Sequence, residues 1–365
     1  MKIFEITSFL EQIAPLAYQE SYDNSGLIVG DLNTEITQAL VSLDCTETII
    51  DEAIACNCNL VIAHHPIVFS GLKKITGKNY VERVIIKAIQ NNIAIYATHT
   101  NLDSVLNGVN GKIAEKLGLQ DCQILAPKNN LLSKLVTYAP VAIADKVRQA
   151  LFDAGAGNIG NYLEASFNST GTGTFKGNEK SNAFVGEKNI RHNEEEIKIE
   201  VIYETYKSSA ILQALRSNHP YEEVAYDILA LSNLHQQVGS GLVGTLPQAM
   251  NEHEFLVHLK SVMNVGVIRH TELLGKTVKT VAVCGGSGSF LLGNALAAKA
   301  DVFISADFKY HEFFDADNKI LIADIGHYES EQFTPELLIK IITKKFPTFA
   351  IRLTEKNTNP IKYLA

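Results

Sequence analysis

Apolar residues in this chain follow two rhythms. Short, largely apolar runs at 39–43, 60–63, 93–97, 278–284, 302–305 and 320–324 predict strands, most of them buried on both faces. Between them apolar positions return every three or four residues, as at Ile6, Phe9, Leu10, Ile13 and Leu16. That spacing predicts helices over 5–17, 46–55, 80–90 and 109–117. Gly118 is the expected C-cap of the last of these. A loop from Ser21 leads into a short strand at 26–29. Strands alternating with helices predict βαβ units and a mostly parallel sheet.

Near residue 130 the texture changes. A strand at 135–138 and a helix at 142–154 precede a stretch rich in Ser, Thr, Gly and Asn at 166–177, which reads as hairpin and loop. A strand at 197–203, a helix at 208–217 and a strand at 226–231 complete an α+β block of ordinary domain size. After Val238-Gly239-Ser240-Gly241 the first texture returns, with a helix at 252–263 and strands at 265–269 and 278–284. A glycine turn then leads into a helix at 289–299. The remaining expected elements are a strand at 302–305, a helix at 308–316, a strand at 320–324, a long helix opening at Gly326-His327 and a strand at 349–353. The expected fold class is α/β, with mostly parallel or mixed sheets flanked by helices. It forms a two-part main domain, 1–130 and 236–365, with an inserted α+β domain at 131–235.

Composition narrows this only in part. A chain of 365 residues with 46% hydrophobic and 20% charged residues is a globular protein with more than one core. A net charge of −8 argues against a general nucleic-acid binder, which needs a basic footprint. No apolar run approaches the roughly 18 residues of a membrane span. Glu5 and Glu11 interrupt the N-terminus too early for a signal peptide, so a cytoplasmic protein is expected. The five cysteines read as reduced thiols, since Cys56-x-Cys58 has the spacing of neither a zinc knuckle nor a redox pair.

The candidate chemistry gathers at strand ends. His64 and His65 follow the apolar run at 60–63 directly, and Pro66 follows them. Adjacent side chains on a strand point apart. The two imidazoles converge only if the chain leaves the strand there, which Pro66 favours. A second strand end brings His99 and Asp103, and a third brings His327 and Glu331, spaced to share one helical face. Sites in open α/β sheets form beyond the carboxyl ends of the strands. His64, His65, Asp103, His327 and Glu331 are therefore the expected metal ligands. His99 is a sixth candidate, as ligand, proton carrier or orienting group, whereas Glu329 faces differently from Glu331 and is expected in solvent. Imidazoles with carboxylates suit Zn foremost, with Fe, Mn or Co also accommodated. Five ligands exceed a closed structural zinc site and fit two divalent ions per chain. Two such ions activate a water for hydrolysis of a phosphate ester or an activated C–N bond. Two motifs stay open. Gly285-Gly286-Ser287-Gly288 is either an anion cradle at a helix start or a tight strand–helix junction. Asp307 and His311 are either an N-cap and a helix-face residue, or groups facing the metal rim.

At these residues the chain resembles the GTP cyclohydrolase I type 2 homologues, the Nif-three-like dinuclear metal proteins. The resemblance rests on Ala63-His64-His65-Pro66, Thr98-His99-Thr100-Asn101-Leu102-Asp103, the glycine turn, Asp307 with Tyr310-His311, and Gly326-His327-Tyr328-Glu329-Ser330-Glu331. Asn24-Ser25-Gly26-Leu27 matches the family's N-terminal pattern. The family's ligands fall on the same five residues. The resemblance also implies that the inserted block is a PII/CutA-like, ferredoxin-like module, on the strength of His219-Pro220-Tyr221-Glu222-Glu223-Val224. It further implies assembly into a toroidal homohexamer, with trimers built through that module. Two functions follow as expectations. One is a metal-dependent hydrolase on a small nucleotide-like or phosphorylated ligand. The other is a non-catalytic metal-dependent ring that binds nucleic acid or a regulatory partner, or handles metal.

Overall fold

In the computed structural model, described for residues 1–364, the chain divides into two compact units. The first comprises residues 1–126 and those from 237 onward, and the second is Pro127–Gln236. The strands in chain order are Gly26–Val29 (β1), Ala39–Ser42 (β2), Leu60–Ala63 (β3), Ala94–Ala97 (β4), Gln120–Lys128 (β5), Leu132–Pro140 (β6), Phe167–Phe175 (β7) and His192–Glu204 (β8). They continue with Tyr226–Leu231 (β9), His235–Asn251 (β10), Arg269–His270 (β11), Thr277–Ser287 (β12), Val302–Ala306 (β13), Leu321–Asp324 (β14) and Ile351–Leu353 (β15).

Two sheets build the first unit. One has the order β1-β4-β3-β2-β15, parallel except for β1, which runs antiparallel along β4. The other has the order β11-β14-β13-β12-β10-β5, in which β12, β13 and β14 are parallel and β10 and β11 flank them antiparallel. The two halves of the unit are laced together, because β5 joins the second sheet and β15 joins the first. β2, β3, β4, β13 and β14 are buried at every residue, as parallel strands covered on both faces must be. Leu40, Val61 and Ile95 pack with Ile49, Ile50, Val84 and Ile85 from the helices Glu47–Ala55 and Tyr80–Gln90. Ala282, Phe303 and Ile322 pack with Leu291, Phe308 and Ile320 under the second sheet. Each such valine, leucine, isoleucine or phenylalanine contributes about 1.5–3 kcal/mol by leaving water. This burial makes the sheets rigid platforms for whatever their ends carry.

The second unit runs β6, helix Ala144–Asp153, β7, β8, helix Ser208–Asn218, β9, with sheet order β7-β8-β6-β9 and every pairing antiparallel. This is the ferredoxin-like βαββαβ arrangement. Leu135, Ile199 and Val201 on the sheet meet Val147, Leu151, Ile211 and Leu215 on the helices.

Several expected elements differ. The strand expected at 265–269 shrinks to β11, because Val265 closes the preceding helix instead. Asn264 takes a left-handed φ of 52° and the Val265 N–H donates to Lys260 O at 3.0 Å, a helix-end motif. The helix expected at 308–316 is a 3₁₀ helix, Tyr310–Ala316. The long helix expected from His327 is two, His327–Glu331 and Thr334–Lys345, with Pro335 in the first turn of the second. The glycine turn is not a turn: β12 continues through Gly285 and Gly286 to Ser287. Among the described residues no helix is long and apolar enough to cross a membrane.

Candidate metal centre

The carboxyl ends of both parallel sets meet in one place. Beyond β2 lies Asp44, beyond β3 lie His64 and His65, and beyond β4 the helical turn Thr100–Asp103 follows His99. From the second sheet, β13 leads to Asp307 and β14 to His327 and Glu331. The adjacent histidines converge because β3 stops at Ala63. The N–H groups of His64 and His65 both donate to Leu43 O, at 3.0 and 2.9 Å, and the two rings lie 4.9 Å apart.

Four imidazoles share one arrangement. Each Nδ1 faces an oxygen: Thr98 O for His64 (2.7 Å), Asp44 Oδ1 for His65 (2.8 Å), Asp23 Oδ1 for His99 (2.7 Å) and Asp307 Oδ2 for His327 (2.6 Å). Carbonyl and carboxylate oxygens only accept, so Nδ1 carries the proton in each ring and leaves Nε2 to face the centre. The backing of metal-bound histidines by carboxylates and carbonyls takes this form.

Glu331 sits in the middle. Its Oε1 faces His64 Nε2 at 3.8 Å, and its Oε2 faces His65 Nε2 at 2.9 Å and His327 Nε2 at 3.3 Å. Asp103 Oδ1 lies 3.6 Å from His64 Nε2. Two ligand sets result, His64/Asp103/Glu331 and His65/His327/Glu331, with ligand atoms in each within 4.8 Å of one another. His99 forms a third set with His64 and His65. Ligands held about 2.0–2.2 Å from one ion stand roughly 3–3.6 Å apart, close enough to these spacings that such a cluster could hold a metal ion.

A cation is also what the chemistry lacks. His64 Nε2 and Asp103 Oδ1 are buried with no hydrogen-bond partner among the described residues. A lone pair facing carboxylate oxygens across such gaps calls for a bridging donor or a cation, and a metal ion fits both. The electrostatics agree. Burial alone pulls His65 down, yet its hydrogen bonds to Asp44 and Glu331 outweigh that and hold it at about 10. His327 is held at about 9, with Glu331 and Asp307 overcoming the same burial. Asp103 is pushed up to about 7 by burial and by the Glu331 charge. Burial would raise Glu331 too, but the three imidazoles around it hold it well below the usual carboxylate range.

The family model for Duf34/NIF3 (NGG1p interacting factor 3) matches residues 1–360. The chain belongs to this family. A GTP cyclohydrolase 1 type 2 homolog of Halalkalibacterium halodurans is 38% identical over 364 residues, 98% of each chain. One from Bacillus subtilis is 38% identical over 366 residues, 99% of this chain and 98% of that one. The crystal structure of a Bacillus cereus protein related to NIF3 superposes with a TM-score of 0.86 at 36% identity, covering 100% of this chain and 99% of the other.

In this member of the Duf34/NIF3 family the five residues expected as ligands, and His99, lie together. Asp307 is not an N-cap: Lys309 holds that place, and Asp307 takes a left-handed φ of 58° and accepts from His327. His311 is exposed with its ring against Tyr310 and Phe314, outside every ligand set found among the described residues. Glu329, expected in solvent, is buried and accepts from Asn359 Nδ2 at 2.9 Å. The anion-cradle reading fails at Gly285 and Gly286, because their N–H groups are engaged. Gly285 donates to Asn110 Oδ1 and Gly286 to Ser330 Oγ, both at 2.9 Å. The glycines serve close approach instead, since a Cβ on Gly286 would overlap Glu331 Oε1.

Two site residues went unread in the sequence, Asp44 and Asp23. Asp44 immediately follows the apolar run at 39–43, so the strand-end rule that found His64 also points to it. Asp23 is hidden by topology, since only the antiparallel pairing of Gly26 with Ala97 brings it beside His99. Asp23 is held far below the usual carboxylate range: its burial opposes this, but hydrogen bonds from His99 and Thr100 outweigh it. A cleft of about 440 Å³ opens onto His99, Asp103, His327 and Glu331, with Tyr22 and Phe290 among its walls.

Proposed function

We propose that this chain is a two-metal hydrolase acting on a nucleotide-like or phosphorylated small molecule. The observation that carries this reading is the division of Glu331, one oxygen toward each ligand set. Zinc suits the donors best, and Fe, Mn or Co also fit imidazoles with carboxylates. Two ions held by His64, Asp103, His65, His327 and Glu331 would polarise the substrate and activate a water, in the manner of two-metal phosphoesterases and aminohydrolases. The remaining work falls to the chain itself. Asp23 fixes the His99 ring so that Nε2 faces the rim, where it carries a proton to the leaving group. The cleft walls hold the substrate over the rim and limit water. The relatives' name refers to a cyclohydrolase, and we carry ring-opening C–N hydrolysis over as one of two reaction types, beside phosphoester hydrolysis. The five free thiols suit the reducing cytoplasm.

The test is metal content joined to turnover. The purified chain is expected to hold two ions by elemental analysis and to hydrolyse members of a panel of phosphoesters and purine nucleotides. Chelation should abolish turnover, and zinc or manganese should restore it. Less than one ion per chain would sink the metal reading. A fully loaded chain that is inert across the panel would leave the non-catalytic metal-dependent ring in its place.

We also infer that the chain assembles as a ring-shaped homohexamer through trimers of the second unit. β9 supports this: it is an edge strand and exposes Ile228 and Leu229. An unpaired apolar edge is a template for association. Light scattering on a sizing column is expected to give six times the 40.0 kDa chain mass. Ile228→Lys with Leu229→Lys should reduce that mass, and an unchanged mass would exclude β9 from the interface.

A further inference from the structure

The segment after β15 has no regular secondary structure, yet it is firmly placed. The Thr354 N–H donates to Val41 O at 3.0 Å, and Thr354 Oγ1 and the Glu355 N–H both donate to the Glu52 carboxylate, at 2.5 and 2.8 Å. Local bonds stiffen the next residues. The Lys356 N–H donates to Thr354 Oγ1 (3.1 Å), the Asn359 N–H to Asn357 Oδ1 (2.9 Å) and the Ile361 N–H to Asn359 Oδ1 (2.9 Å). Two side chains of this segment end on the groups that hold the metal ligands. Thr358 Oγ1 donates to Asp44 Oδ2 at 2.5 Å, while the other oxygen of Asp44 faces His65 Nδ1. Asn359 Nδ2 donates to Glu329 Oε1 at 2.9 Å, in the short helix that carries His327 and Glu331.

We propose that residues 354–359 form a positioning strap for the His65/His327 side of the metal centre. Thr358 acts through Asp44 on the direction of His65 Nε2, and Asn359 acts through Glu329 on the turn that presents His327 and Glu331. The proposal rests on the reading that the centre holds metal. The physical reason is rotational freedom. A carboxylate turns easily about its last torsion. Held by His65 alone, Asp44 can swing and take the imidazole with it; held at both oxygens, it fixes the ring plane. A hydroxyl donating to a charged carboxylate is also stronger than a neutral pair. The strap links residues beyond β2 with the helix beyond β14, so it sets the distance between ligands that come from two different sheets.

Loss of a group that orients a ligand lowers metal affinity by about 10–100-fold. Thr358 stands one bond further out, so the lower end, roughly tenfold, is expected. The experiment titrates the metal-free full chain with zinc against a fluorescent chelator. Asp103→Ala and His327→Ala assign the two binding events to the two ligand sets. Thr358→Val should weaken the His65/His327 event about tenfold and leave the other unchanged, Asn359→Ala should act in the same direction, and Thr358→Ser should restore the event. Metal-free melting curves of Thr358→Val and Asn359→Ala should fall slightly, by one hydrogen bond each, and such a general loss does not by itself single out one zinc event. Unchanged titrations for both Thr358→Val and Asn359→Ala overturn the strap while the two-metal reading stands. Equal weakening of both events also overturns it, in favour of general destabilisation. A wild-type chain that takes up no zinc overturns the metal reading, and the strap with it.

Discussion

Glu331→Ala is expected to release metal from both ligand sets, whereas Asp103→Ala and His327→Ala each release it from one. The difference follows from the carboxylate's two oxygens, one toward His64 and the other toward His65 and His327. Glu331 is 3% exposed, so its charge is screened little, and a neutral water taking its place does not replace that charge. Removing one partner from a buried, hydrogen-bonded charge arrangement costs about 3–5 kcal/mol. As affinity that is roughly 10²–10³-fold or more, enough to empty both positions at micromolar metal. Elemental analysis after gel filtration should then give no retained ion for Glu331→Ala and one for each of the other two. Glu331→Gln keeps the volume and loses the charge, so the same loss there would assign the effect to charge rather than to a cavity. If Glu331→Ala still retains one ion, Glu331 does not bridge, and the ligand sets are independent.

The candidate ligands were legible because they obey a rule that needs only strand boundaries. Buried apolar runs mark parallel strands, and the residues just beyond them face the common edge. His64, His65, Asp103, His327 and Glu331 all satisfy it, although Glu331 lies 266 residues from His65. What stayed hidden depended on pairing. Asp23 precedes β1, and only the antiparallel direction of that strand places it at the carboxyl edge of β4. Thr358 and Asn359 follow β15, whose seat beside β2 joins the two ends of the chain, and a single sequence carries no signal for that. The glycine stretch misled for a different reason. Gly285 and Gly286 look like a turn, yet their lack of side chains serves close approach to a strand, by Val109 at the first and Glu331 at the second. Steric need of that kind is invisible until the facing residue is known. Glu329 misled in the same way: first-turn glutamates usually face water, but Asn359 covers this one.

Gly286→Ala is expected to damage the centre more than its small size suggests. Two costs add. Gly286 has a φ of 64°, where a side chain costs about 1–2 kcal/mol. The new Cβ would also overlap Glu331 Oε1, the oxygen that faces His64 and the Asp103 set. Glu331 cannot swing freely, because His65 and His327 hold its other oxygen at 2.9 and 3.3 Å. The overlap must therefore tilt the carboxylate away from His64. Affinity in the His64/Asp103 set should fall by the roughly 10–100-fold that accompanies lost ligand orientation, and the other set should be affected less. Gly118→Ala separates the two costs. Gly118 has a φ of 70°, and a Cβ there meets nothing within 4 Å. It should show a similar loss of stability, about 1 kcal/mol, and unaltered zinc titration. Paired melting curves and zinc titrations of the two variants decide the matter. Equal destabilisation with metal loss only at Gly286 would show that this glycine is required by the metal ligand opposite it. Unchanged metal binding in Gly286→Ala would mean that Glu331 has more freedom than its contacts with His65 and His327 allow.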